Sequence, residues 1–391
     1  MTAPAAPARH STGMGTAVAG MLLVAATYGM ARFGVGLFAP YLAVQRPELV
    51  GVLGWAAGAQ FTSYSLAAVV AARLVDRSPR TGLVLAGATA TAGCVGVAVT
   101  SDPVVFVVAV FVGGMGGGFA SPALVPIIDA VVAPEATPTA QSVANTGTAV
   151  GVIAAGLLAS AVPSIGPAWL LMAVMCATAA AAVWHPVRTR TDLATAQAPS
   201  SGPLPSSSPR AWRPLLAPGA AALLAGAGSS LIWTFGPLLL TGSGAVAAER
   251  AGWLWIALGL GGFLGTLTGT LVQHTGRRVG GCTCAGALTL AGAGVALGVA
   301  TGGSWLAYTG MAVFGAGYMG LTTVLILWAR HAWPHSAGAG TSVLFIALAT
   351  GQALGSVGFG AAQELLPPVL LATVAASLCA AGGLTALLGE R

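Results

Sequence analysis

The sequence predicts an all-α membrane protein with twelve transmembrane helices in two pseudo-symmetric six-helix bundles, and three observations predict it. Of its 391 residues, 56% are hydrophobic and 6% charged, whereas a soluble domain carries about a quarter charged residues. Apolar runs long enough to span hydrocarbon recur twelve times, divided six and six by one polar stretch. Short segments of the first six runs return about 197 positions later in the second six.

The composition sets the solvent. A water-soluble chain of this length could not cover its surface with so few charges, so lipid must surround most of it. All 15 basic residues are arginine. Without lysine there is no P-loop, and ATP-driven work would need a separate ATPase subunit. Arginine-only, Ala- and Gly-rich usage points to a high-GC bacterium and its cell (inner) membrane. The net charge of +6 follows membrane topology, so nucleic acid is not an expected partner. Cys94, Cys176, Cys282, Cys284 and Cys379 lie in or beside apolar runs. Their odd count and spacing fit neither a disulfide framework nor a metal site, and no cofactor is expected.

Against the roughly 20 residues needed to cross hydrocarbon, the first six spans read as 17–44, 51–72, 82–100, 103–128, 139–162 and 166–184. The second six read as 214–241, 250–272, 281–301, 304–329, 337–361 and 366–388. Residues 1–16 form an N-terminal tail, 17–184 the first bundle and 214–388 the second. Residues 185–213, with their Pro/Ser-rich core, read as a disordered linker. The first apolar run is too long for a signal peptide and reads as an uncleaved span. With the N-terminus inside, one side receives Arg9, Arg73, Arg77, Arg80, Arg188, Arg190, Arg210, Arg213, Arg277, Arg278, Arg330 and Arg391, and the other only Arg46 and Arg250. That imbalance makes the first side, both termini and the linker cytoplasmic.

The repeat is visible in detail. Phe38-Ala39-Pro40-Tyr41-Leu42 parallels Phe235-Gly236-Pro237-Leu238-Leu239; Gly54-Trp55 parallels Gly252-Trp253; and the loop from Ala72 to Thr81 parallels Gly269 to Arg278. Halves related by an axis along the membrane normal are a common plan for secondary transporters.

The loop Ala72-Arg-Leu-Val-Asp76-Arg77-Ser-Pro-Arg80-Thr81 resembles the major facilitator superfamily signature G-x-x-x-D-R-x-G-R-[KR], with Ala72, Pro79 and Thr81 departing from it. Its second copy keeps Gly269, Gly276, Arg277 and Arg278 but has Gln273 where the acid would stand. Tyr28 to Pro40, with Gln60 to Tyr64 behind, is similar to a poorly characterised bacterial group of that superfamily. The resemblance implies the major facilitator fold and a secondary transporter working by alternating access. It also implies gating roles for Asp76, Arg77, Arg80, Gly269, Arg277 and Arg278, with Asp129 a partner for Arg73 or Arg80. Two patterns of proton-driven drug antiporters are degraded. Ala109 and Val110 precede Gly113 where such proteins carry an arginine, and Val152 and Ala155 replace Pro and Gly in the fifth span.

Arg32 is the one charge placed well inside a span. An arginine at a helix centre costs about 2.5–3.5 kcal/mol on insertion scales, and it stays protonated. Three readings compete: it binds the anionic part of a solute, it donates to neutral neighbours, or it snorkels to one face. Tyr28, one turn earlier, and Gln60, Tyr64, Asn145, Trp233, Tyr318 and Gln352 are the other cavity candidates. Trp253 and Trp255 read as interfacial anchors. Gly261, Gly265, Gly269, Gly351 and Gly355 read as helix-packing faces. Proton coupling would need a titratable group, for which Asp129 and Glu364 are available. The expected activity is export of a small amphipathic or anionic solute by a monomer, with import or uniport of an organic anion as the alternative. A membrane enzyme would need a polar cluster at one face, and His331 with His335 lacks an accompanying acid. An ATPase-dependent permease subunit is a third reading, against which the repeated loops argue.

Overall fold

In a computed structural model, residues 10–74, 78–188 and 209–388 are described; residues 189–208 of the expected linker, with Asp76 and Arg77, lie outside them. Among the described residues every regular element is helical. Among the described residues, eleven helices are long and apolar enough to cross a membrane. The remaining helix, Leu53–Leu74, has the length but carries Gln60, Thr62, Ser63, Tyr64, Ser65 and Arg73, and it packs along the fourth and eleventh spans.

The first bundle runs through residues 10–45, Leu53–Leu74, Pro79–Val99, Pro103–Val131, Thr137–Ala161 and Ile165–Val187. The second runs through Pro209–Gly242, residues 251–275, Arg277–Thr301, Ser304–Ala332, Ala337–Ala362 and Pro368–Leu388. Several spans outrun the apolar limits read from sequence. The first and seventh begin at residues 10 and 209, because helical hydrogen bonding continues beyond the hydrocarbon through polar ends. Local chemistry sets the ends. Asp102 accepts from the backbone N–H groups of Val104 and Val105 at 2.9 Å each, an N-cap of the usual kind. Gly302, at φ 68°, closes the ninth span in a left-handed conformation that glycine adopts without cost. Arg46 donates to the carbonyls of Val97, Thr100 and Ala98 at 2.6–2.7 Å, filling acceptors that the end of the third span leaves open.

Glycines build the pseudo-symmetry. A Cβ on Gly147 or Gly151 would collide with the carbonyls of Met21 or Ala25 in the first span. A Cβ on Gly351 or Gly355 would collide with those of Leu223 or Ala227 in the seventh. The fifth span therefore seats on the first as the eleventh seats on the seventh.

Between the bundles, the glycine contacts all fall in one half of the membrane. Gly54 meets Gly360 and Gly58 meets Val357, joining the second and eleventh spans; Gly156 meets Gly252 and Gly259 meets Ile153, joining the fifth and eighth. These contacts lie at the span ends remote from Arg73, Arg80, Arg277 and Arg330. Further toward that arginine-rich side, Thr62, one turn from Gly58, and Asn145, about two turns from Ile153, are exposed. The seam is closed on the arginine-poor side and splayed on the other.

Two spans are broken. Residues 25–32 of the first form a π-helical segment (Ala25–Arg32) where the sequence predicts a continuous α-helix. The eighth passes through a 3-10 turn, Gly265–Leu267. Such interruptions concentrate where helices line a functional cavity.

Candidate functional site

The π-helical segment ends on Arg32. Widening the helix there disturbs the i→i−4 ladder, and the side-chain amide of Gln60 donates to the carbonyls of Arg32 and, at 3.4 Å, of Ala31. The sequence makes Gln60 a cavity candidate; the structure instead commits its amide nitrogen to the first span's backbone. Gly29, opposite Gly151, leaves room for the two backbones to approach beside the break.

Arg32 is 1% exposed, so it does not snorkel. Its guanidinium carbon lies 3.9 Å from the ring centroid of Tyr64, 4.4 Å from Tyr28, 5.0 Å from Phe33 and 5.2 Å from Phe61. Each cation–π contact contributes about 0.5–2 kcal/mol, so four rings offset a cost of the size quoted for burial. The ring faces accept no conventional hydrogen bond, however, and Arg32 Nε and Nη1 remain without a hydrogen-bond partner. The acids nearest the seam in sequence, Asp129 and Glu364, are both exposed at opposite membrane edges.

The second bundle completes the cage. Trp233 stacks on Phe33 with centroids 3.8 Å apart and planes 15° apart, and meets Tyr318, Phe314 and Trp255 edge-on at 5.2–5.7 Å. Gly36 lies against the Trp233 carbonyl with no room for a Cβ. The Phe33–Trp233 stack roofs the cage on the closed side. Gln352, fully buried, donates from Nε2 to Tyr318 Oη at 3.0 Å, while its Oε1 has no partner. Tyr28, Arg32, Tyr64, Tyr318, Thr322, Phe345, Leu348, Ala349 and Gln352 line a common cavity of ≈ 10 Å³, room for about one water. A larger depression of ≈ 500 Å³ lies between the third and sixth spans. Thr91 is the polar side chain in that apolar wall, and a bilayer would fill the depression with lipid.

Of the eight cavity candidates, Arg32, Tyr28, Tyr64, Tyr318, Gln352 and Trp233 converge here. Asn145 does not join the cage; it is exposed along the splayed seam. Phe33, Phe61, Thr322 and Phe345 are missed by sequence reasoning, because a search for polar groups in apolar spans passes over the walls between them. Trp255 is fully buried against Trp233 and is not the interfacial anchor expected; Trp253, 54% exposed, is free for that role.

Among the gating candidates, Arg80 donates from Nε and Nη2 to the Val187 carbonyl at 3.1 and 2.8 Å, tying the third span to the end of the sixth. Asp129 is exposed at the end of the fourth span, and Arg277 and Arg278 open the ninth, half-buried. Gly269, with Thr323 Cγ2 4.0 Å from where its Cβ would stand, has space for a side chain.

Two six-helix bundles meeting at an aromatic-lined cage around a buried arginine are the architecture of a secondary transporter. The chain belongs to the Major Facilitator Superfamily, whose family model matches residues 21–356. This places it among transporters and not enzymes. Its fold is similar to that of the nucleoside transporter NupG. One NupG structure, of a point mutant, superposes with a TM-score of 0.77 at 12% identity, covering 96% of this chain and 100% of that one. A second NupG structure gives 0.77 and 12%, covering 97% and 99%. No curated protein matches the chain in sequence.

Proposed function

We propose that the protein moves a small organic anion across the bacterial cytoplasmic membrane by alternating access, with the arginine-rich side cytoplasmic and Arg32 as the anion's partner at the bundle seam. One observation carries this reading: Arg32 is buried between the bundles with two nitrogens lacking acceptors. A carboxylate or phosphate would supply them in a medium where charge-assisted hydrogen bonds are strong. Nucleosides, the solutes named for the matched structures, are uncharged and would bring no countercharge to the guanidinium.

Export is the proposed direction; the seam splayed on the arginine-rich side is the state in which an exporter loads and an importer releases. Import or uniport of the same anion is the alternative, decided by the sign of flux in oriented vesicles. Asp129 and Glu364 stay the candidates for proton coupling. Asp76, Arg77, Arg80, Arg277 and Arg278 are proposed to gate the cytoplasmic side, where charged contacts made in one state break in the other.

The test compares benzoate with the uncharged benzamide on purified wild type, Arg32→Gln and Arg32→Lys by calorimetry. Benzoate binding is expected to fall at least about tenfold in Arg32→Gln, equivalent to about 1.4 kcal/mol, with benzamide unaffected. Arg32→Lys keeps the charge but loses the fork and should fall between. Equal effects of Arg32→Gln on both compounds would exclude an anion site.

A further inference from the structure

We propose that the solute carries a hydrogen-bond donor, a hydroxyl or amino group, remote from its anionic group, and that this donor is received by Gln352 Oε1 while Arg32 holds the anion. The proposal rests on the anion reading of Arg32 and adds the chemistry of the solute's other end.

Arg32 Nε and Nη1 and Gln352 Oε1 are buried polar atoms without a partner, and all three belong to side chains lining one cavity. Their chemistries are opposite and they come from opposite bundles: the first presents donors, the second an acceptor. The two groups do not bond each other across the cavity between them. An unpartnered buried acceptor costs about 1–3 kcal/mol, and a membrane-embedded amide ordinarily satisfies itself across a helix interface. Gln352 does so with its nitrogen alone. That bond goes to Tyr318, whose ring is held by Trp233 at 5.2 Å and Phe314 at 5.9 Å. With Nε2 on Tyr318 Oη, the amide oxygen is turned from that hydroxyl.

The repeat does not demand either group. At the offset that maps Phe38 onto Phe235, the seventh-span counterpart of Arg32 is Ser229. The glycine pairs that map the fifth span onto the eleventh place Thr148 opposite Gln352. Both are departures from symmetry, and both meet in the same place. A solute satisfying the two ends ties one bundle to the other through itself.

The walls describe the solute's body. Tyr28, Tyr64 and Phe345 are half-buried and bound the cavity together with Arg32. In the conformation seen, ≈ 10 Å³ accommodates about one water. A ring is admitted when these three side chains turn toward the splayed seam, and their faces then pack on it.

The experiment titrates the full-length protein with 3-hydroxybenzoate, 4-hydroxybenzoate, 4-methoxybenzoate, benzoate and benzamide, read by calorimetry and tryptophan fluorescence. One hydroxybenzoate is expected to bind at least about tenfold tighter than 4-methoxybenzoate, which offers an acceptor but no donor, and Gln352→Met is expected to erase that ratio. If hydroxy and methoxy acids bind wild type equally while benzoate still outbinds benzamide and needs Arg32, the donor inference is overturned and the anion reading stands. In that case Gln352 Oε1 faces a water only. If benzoate and benzamide bind alike, the anion reading itself fails. The wild-type series decides the matter even where a Gln352 variant does not fold.

Discussion

Arg32 and Gln60 show how a single side chain can be legible in type and not in role. Both stand out in sequence as polar residues in apolar spans, and on that ground both read as cavity residues. The structure separates them: Arg32 presents unpaired nitrogens, whereas Gln60 repairs the backbone that the π-helical segment opens. Leucine at position 60 would leave those carbonyls without the amide, costing about 1–3 kcal/mol. The Gln60→Leu protein should therefore melt earlier in detergent, while its preference for benzoate over benzamide persists. A change of preference with no change in melting would return Gln60 to the solute's contacts. The aromatic walls are not legible for the converse reason. Phe33, Phe61 and Phe345 are apolar residues in apolar helices, and pairing Phe33 with Trp233 needs knowledge of how two distant spans meet.

At the scale of elements, twelve apolar runs can be counted because each span must bury its backbone polar groups internally, which fixes length and composition together. The break in the first span cannot be read, since it depends on Gln60 and Gly151 arriving from other helices. Glycines at four-residue spacing read as packing faces. Gly147 and Gly151 against Met21 and Ala25, and Gly351 and Gly355 against Leu223 and Ala227, give that reading atomic form. Not every glycine carries such a contact: nothing lies within 4 Å of a Cβ placed on Gly286 in the ninth span. Alanine at 151 should destabilise by about 1–3 kcal/mol through overpacking, whereas alanine at 286 should stabilise by about 0.5–1 kcal/mol through helix propensity. Thermal unfolding of the two variants beside wild type reads the difference. Equal shifts would mean that the fifth and first spans are not in backbone contact.

For the whole molecule, the sequence predicts two bundles but does not say which side of their seam is shut, because that depends on where helices distant in sequence meet. Packing supplies the answer: Gly54, Gly58, Gly156 and Gly259 make their contacts on the arginine-poor side, and Asn145 and Thr62 lie exposed on the other. A Cβ on Gly58 would stand 2.8 Å from Val357 Cγ2, so cysteines at these two positions fall within reach of a disulfide after small adjustment. With Cys94, Cys176, Cys282, Cys284 and Cys379 replaced, Gly58→Cys/Val357→Cys should cross-link under mild oxidation. Cross-linking should abolish benzoate flux across vesicles while leaving benzoate binding from the arginine-rich side intact, and reduction should restore flux. In the same background a cysteine at Asn145 should react with an impermeant maleimide from the arginine-rich side, in the cross-linked protein as in the free one. These two readouts together separate a locked carrier from a damaged one. If flux continues through the cross-linked protein, the contacts between the second and eleventh spans need not open, and the bundles do not alternate about this seam.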